Sequence, residues 1–206
     1  MVGILKYGVG NIFSLLNIFE EKNIPCKFIL SENDFIDVTH VILPGVGAFD
    51  FALEMFEKSG LKSHLIKLVN KEKIFLLGIC VGFQMLFKFS EEGKKEGLNL
   101  LDLQIKKFNP DNNVLIPHMG WNNVNYDKAL GNSLFANISQ GSKFYFLHSF
   151  YLPETNELKN LQKAKTHYGQ DFVSMVVKNN IIGAQFHPEK SHDQGIKFLI
   201  NFYNLR

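Results

Sequence analysis

The chain has 206 residues, 46% of them hydrophobic, and its 22 basic and 20 acidic side chains leave a net charge of +2. That supports one buried core, so a single domain over residues 1–206 is expected, and the charge balance argues against nucleic-acid binding by bulk electrostatics. No apolar run approaches the ~20 residues that cross a bilayer, and the two cysteines, Cys26 and Cys80, form no disulfide framework, so no membrane segment and a reducing, cytoplasmic setting are expected.

Val2-Gly3-Ile4-Leu5 reads as a strand that begins at once, so no signal peptide is expected. The turn Gly8-Val9-Gly10 follows. A dinucleotide fingerprint would need its third glycine at Phe13, so this turn is not a nucleotide site. A helix is predicted over Ile12 to Lys22, then a strand at Phe28-Ile29-Leu30, and Cys26, in the short apolar run after Pro25, reads as an inert strand residue. Val41-Ile42-Leu43 is a third strand, ending in Pro44-Gly45-Val46-Gly47. Helical spacing through Leu53, Phe56, Leu65 and Leu68 leads to a fourth strand at Ile74-Phe75-Leu76-Leu77. This βαβ alternation predicts an α/β fold with a central, mostly parallel sheet flanked by helices.

The fourth strand runs into Gly78-Ile79-Cys80-Val81-Gly82, with a helix expected from near Phe83. Glycines two residues either side of a cysteine let strand and helix approach closely, which is the pattern of a nucleophile elbow with Cys in place of Ser. Such a turn holds a thiol at the carboxyl edge of the sheet and aims free backbone N–H groups at the same place. The plainer reading of a lone cysteine is a small buried apolar residue.

Glu91 to Glu96 reads as a charged, solvated loop or helix end. From about Leu100 the pattern changes to short strands and turns, at Leu103-Gln104-Ile105, Val114-Leu115-Ile116, Phe144-Tyr145-Phe146, Phe172 to Val177 and Ile181 to Phe186. Antiparallel hairpins are therefore expected in the C-terminal half. The last helix is predicted over Gln194 to Asn204.

Pro188 forces His187 to be extended, and residues two apart on extended chain share a face. His187 and Glu189 would then point to one side, the carboxylate fixing the imidazole as base for Cys80. Attack of a thiolate on an amide makes an oxyanion that needs two preplaced donors. Val81 N–H supplies one, and Val46, in a loop whose flanking Gly45 and Gly47 permit peptide rotation, supplies the other. A missing donor would cost roughly 10²–10³ in turnover. His40, His64, His167 and His192 show no metal-ligand spacing, so no metal and no cofactor are expected.

Gly-Ile-Cys-Val-Gly-Phe-Gln, followed far downstream by Gln-Phe-His-Pro-Glu-Lys-Ser, resembles the triad (class I) glutamine amidotransferases. The resemblance covers nearly the whole chain, including Tyr7 to Asn11, Leu43 to Phe49, Pro117-His118-Met119-Gly120-Trp121-Asn122 and Tyr145 to Ser149. The segment around Trp121 is most similar to the glutaminase subunits of imidazole glycerol phosphate synthases. The resemblance implies that Cys80, His187 and Glu189 are catalytic, and that Gly47, Gln84, His148, Ser149 and Phe150 bind glutamine. It implies an oxyanion loop at Gly45 and Val46, able to flip. It also implies a (β/α)₈ synthase subunit that takes the ammonia, contacted by Tyr7, Asn11, Trp121, Asn122 and Lys190. Two alternatives stay open: the same half-reaction feeding an amidino-sugar synthase of surface glycans, and a silent binding module on this fold. Lys6, where the family usually carries an acid, Val81 with Phe83 after the cysteine, and Asn99 in a usually glycine-rich place leave room for the first of these, and the intact Cys80, His187 and Glu189 argue against the second.

Overall fold

The computed structural model describes residues 1–109 and 114–206. Strand β1 (Val2–Leu5) is buried at every position, with no polar alternation. Such a strand needs cover on both faces, and it lies between parallel neighbours. These are β2 (Cys26–Ile29) on one side and β3 (His40–Gly45) on the other, followed by β4 (Phe75–Cys80). The crossovers are helical: α1 (Ile12–Glu21) after β1, and α2 (Phe49–Lys58) with α3 (Lys62–Asn70) between β3 and β4. The single helical run expected here is two helices, broken at Gly60, whose φ of +75° is left-handed.

Beyond β4 the sheet changes sense. Strand β12 (Ile181–Ala184) is parallel to β4, and β11 (Asp171–Lys178), β10 (Gln162–His167), β7 (His118–Tyr126) and β8 (Ser142–His148) follow antiparallel. Among the described residues this makes a nine-stranded mixed sheet in the order β2-β1-β3-β4-β12-β11-β10-β7-β8. A smaller sheet joins β5 (Phe87–Ser90), β6 (Leu101–Lys107) and β9 (Phe150–Tyr151). Helix α5 (His192–Tyr203) buries Phe198, Leu199 and Phe202. Most phenylalanines fill the core, with Phe135, Phe144, Phe186 and Phe198 in mutual edge or tilted contact. Among the described residues no helix is long and apolar enough to cross a membrane.

Three expectations need correction. Val114-Leu115-Ile116 is not a strand; Leu115 is 85% exposed, and pairing begins only at His118. The elbow helix α4 (Val81–Met85) starts directly after the cysteine and lasts five residues before the chain extends into β5. Strand β10, of sequence Gln-Lys-Ala-Lys-Thr-His, carries no apolar pattern to mark it, although Lys163 and Thr166 are buried.

The elbow depends on glycine. A Cβ on Gly82 would lie 1.9 Å from the Leu43 carbonyl oxygen, and one on Gly45 would lie 2.4 Å from Gly82 N. Backbone therefore packs on backbone where β3 meets the start of α4. Gly82→Ala is expected to cost about 3 kcal/mol or more. A thermal melt would read this as a fall of roughly 6–12 °C. A midpoint unchanged within about 2 °C would contradict the close approach.

Candidate active site

Strand β4 delivers Cys80 to the carboxyl edge of the parallel sheet, opposite Gly45 of β3. Cys80 itself has φ +54° and ψ −110°, a left-handed conformation that costs a non-glycine residue energy. The turn leaves Cys80 buried but lining the cavity, and α4 begins at the next residue. The Cys80 thiol donates toward the Leu147 carbonyl at 3.7 Å, and Gln185 Nε2 approaches the sulfur at 3.9 Å.

His187 is extended, as Pro188 requires, with its N–H on the Tyr145 carbonyl at 2.9 Å. Ser191 clamps it: its hydroxyl donates to the His187 carbonyl at 2.6 Å and accepts from Tyr145 N–H at 3.0 Å. Glu189 does not reach the ring by strand alternation. A 3₁₀ turn over Pro188–Lys190 folds it back, placing Oε1 2.9 Å from His187 Nδ1. Both side chains are buried, at 3% and 2% exposure, so solvent does not screen the pair. Cys80 and His187 line the same cavity, close enough for the sulfur's charge to act on the ring. Burial works against the charged ring, but Cys80 beside it and the Glu189 carboxylate outweigh that and raise His187 to about 10. Thiol, imidazole and carboxylate therefore meet at one place.

A cavity of about 290 Å³ opens over Cys80 and His187. Val46, Gly47 and Val81 form one side, which puts both backbone segments expected to donate to an oxyanion at its edge. Gly45 lies behind them, held against α4. Gln84, His148, Ser149 and Phe150 form the other wall. The Gln84 amide is anchored, with Nε2 donating to the Gln185 Oε1 at 3.0 Å and the Phe150 carbonyl at 3.3 Å, while its buried Oε1 has no partner. Glu92 also lines the cavity, and burial pushes its carboxyl up. It lies in the charged run expected to be a solvated loop, and nothing in that run distinguished it from its neighbours.

Residues expected at a partner surface divide. Trp121, on β7, is 44% exposed and stacks on His192 with ring centroids 4.9 Å apart. Lys190 lies over Tyr145 and also lines the cavity. Cross-strand partners Met119 and Leu147 are exposed beside them, extending an apolar rim to the cavity mouth. Asn11 opens α1 and accepts from the Ser14 hydroxyl at 2.9 Å. Two residues depart from expectation. Tyr7 is 4% exposed, and its hydroxyl donates to the Pro44 carbonyl, so it buttresses the glycine loop from within. Asn122 turns its amide inward, onto His118 at 3.2 Å and the His167 carbonyl at 2.9 Å.

Comparison with known proteins gives one consistent result. A model described as glutamine amidotransferase class-I matches residues 13–205. The chain is 41% identical to imidazole glycerol phosphate synthase subunit HisH of Leptospira borgpetersenii, over the full length of both. It is 40% identical to the protein of that name from Bdellovibrio bacteriovorus, again over both full lengths. The chain is 38% identical to subunit HisH 2 of Pseudomonas aeruginosa over both full lengths. In fold it is similar to a crystal structure titled glutamine amidotransferase, with a TM-score of 0.73, 14% identity and 99% of each chain covered. A similar match links it to the structure of PurLQS from Thermotoga maritima, with a TM-score of 0.72, 17% identity, and 98% of this chain and 97% of that chain covered.

Proposed function

The chain belongs to the class-I glutamine amidotransferase family, and from that premise we propose that it is the glutaminase subunit of imidazole glycerol phosphate synthase. It hydrolyses glutamine to glutamate and ammonia and passes the ammonia to a (β/α)₈ synthase subunit in histidine biosynthesis. The observation that carries the reading is Cys80 and His187 side by side on one cavity, with Glu189 hydrogen-bonded to His187 Nδ1 behind them.

The chemistry follows from that line. Glu189 holds the Nδ1 proton of His187, so Nε2 is the atom that faces sulfur and takes its proton. The Cys80 thiolate attacks the carboxamide carbon of glutamine, and the developing oxyanion is met by the Val81 and Val46 N–H groups. Protonated His187 gives its proton to the departing nitrogen, the C–N bond breaks and ammonia leaves. A γ-glutamyl thioester remains on Cys80. His187 then takes a proton from water, the hydroxide adds to the thioester carbon, and the C–S bond breaks to release glutamate and restore the thiol. Ammonia must stay unprotonated to act as a nucleophile, and bulk water at neutral pH would protonate it. A sealed route into a docked synthase subunit meets that need, and the rim of Met119, Trp121 and Leu147 beside the cavity is the surface offered to it. The absence of a membrane-crossing helix among the described residues is compatible with a cytoplasmic location.

Glutamine itself explains the other polar groups. Its α-ammonium is matched by the Glu92 carboxylate, and the buried Gln84 Oε1 is an acceptor awaiting a donor. Glu92→Gln is expected to raise KM for glutamine by about tenfold or more, with a smaller effect on kcat, since a charge-assisted hydrogen bond is lost. An unchanged KM would remove Glu92 from the substrate site. The pathway is tested by complementation of a histidine auxotroph lacking its glutaminase subunit. Growth without histidine supports the assignment, and failure with intact glutaminase activity would transfer the same half-reaction to another acceptor.

A further inference from the structure

From His148 in the cavity wall a chain of hydrogen bonds that the catalytic line does not use runs away from the cavity. His148 Nδ1 is 2.7 Å from the Phe150 carbonyl, His118 Nδ1 is 2.9 Å from His148 Nε2, and Asn122 Nδ2 is 3.2 Å from His118 Nε2. Only one assignment of protons satisfies it. A carbonyl only accepts, so His148 Nδ1 carries a proton. Burial pushes His148 down to about 3, with His118 beside it adding to the effect, so the ring is neutral and Nε2 is bare. His118 Nδ1 must therefore donate. Burial lowers His118 to about 4, so its Nε2 is also bare and accepts from Asn122. The Asn122 amide cannot flip, because Nδ2 also donates to the His167 carbonyl and Oδ1 accepts from Asn123 N–H at 2.8 Å.

The far end of the chain is the substrate wall. The Phe150 carbonyl that receives the His148 proton is one of two acceptors holding Gln84 Nε2. Holding Nε2 fixes which atom of the Gln84 amide remains as the uncommitted acceptor. His118 lies outside the cavity lining, packed flat between the rings of Tyr168 and Phe146 at 4.0 and 4.8 Å. We propose that His118 is a positioning residue: by donating to His148 Nε2 it holds that ring, whose tautomer the Phe150 carbonyl sets, in place, and through the Phe150 carbonyl it sets the Gln84 amide for glutamine. The functional part of this proposal rests on the glutaminase reading; the hydrogen-bond part does not.

The test combines spectroscopy on the intact chain with kinetics of its complex with the synthase subunit. Long-range ¹H–¹⁵N spectra are expected to show both His118 and His148 protonated on Nδ1 in the wild type. A wild-type His148 protonated on Nε2 would overturn the relay. His118→Phe keeps a flat ring in the stack but removes the donor. His148 should then keep its Nδ1 proton while its ¹⁵Nε2 resonance shifts to that of a nitrogen without a donor, and KM for glutamine should rise about five- to tenfold, the value of one buried hydrogen bond, with kcat changed about twofold at most. His118→Asn, whose amide nitrogen can replace Nδ1, should return KM to within about twofold of wild type. Wild-type KM in His118→Phe, or a fall in kcat at constant KM, would refute the proposal. A wild-type complex that released no glutamate would defeat the glutaminase reading, and the spectra would still decide the relay.

Discussion

Cys80→Ala is expected to lower glutamine-dependent turnover by at least about 10⁴, to the residual level that binding and oxyanion donors alone sustain. The reason is stoichiometric as well as electrostatic: without sulfur no thioester forms, and His187 has no proton to take. The loss should be confined to glutamine. Cys80 sits at the cavity end of the core, its sulfur touching the Leu147 carbonyl and Gln185, and alanine removes one atom there without altering the β4 backbone pairing. The paired synthase subunit should still work at the wild-type rate when ammonium salts replace glutamine. Glutamate release within about tenfold of wild type would show that another group carries the attack.

Glu189→Gln is expected to lower kcat by about 10²–10⁴ with little change in KM. Glutamine has the shape of glutamate, but its amide can donate to Nδ1, which favours the tautomer with its proton facing Cys80. The base is then lost although every atom keeps its place. The pH profile should move with it. Burial opposes the His187 charge, and the Cys80 and Glu189 charges overcome it to hold the folded value near 10, against 6.5 for an ordinary histidine. A folded value above the unfolded one means that the imidazolium's contribution to stability is complete below about pH 6.5 and is lost as pH rises through about 10. Removing the carboxylate lowers the folded value, so the alkaline limbs of both activity and stability should shift to lower pH. An alkaline limb that stays in place would mean that Glu189 does not support the charge on His187.

The parts of the molecule that could be read from the sequence are those with local causes. The strands at Val2, Val41 and Ile74 are unbroken apolar runs because parallel strands are covered on both faces. The elbow is legible because Gly78 and Gly82 sit where a Cβ would strike backbone. His187 and Glu189 were visible as a pair, though the 3₁₀ turn that joins them replaces the extended geometry expected. What could not be read depends on distant partners. Glu92 looks like any residue of its charged run until the cavity wall closes beside it. Tyr7 resembles an interface residue, yet its hydroxyl is spent on Pro44 across 37 residues of sequence. His118 and His148 meet only because β7 and β8 pair in a register that sets them directly opposite. Val114 to Ile116 has strand composition but pairs with no strand among the described residues.

The nucleophile is tested most directly by acid quench of the complex during turnover of isotopically labelled glutamine, followed by mass spectrometry of its peptides. A γ-glutamyl group on the peptide carrying Cys80, released by hydroxylamine, is the predicted result. Label on a different residue, or sustained ammonia release from a Cys80→Ala chain, would contradict it.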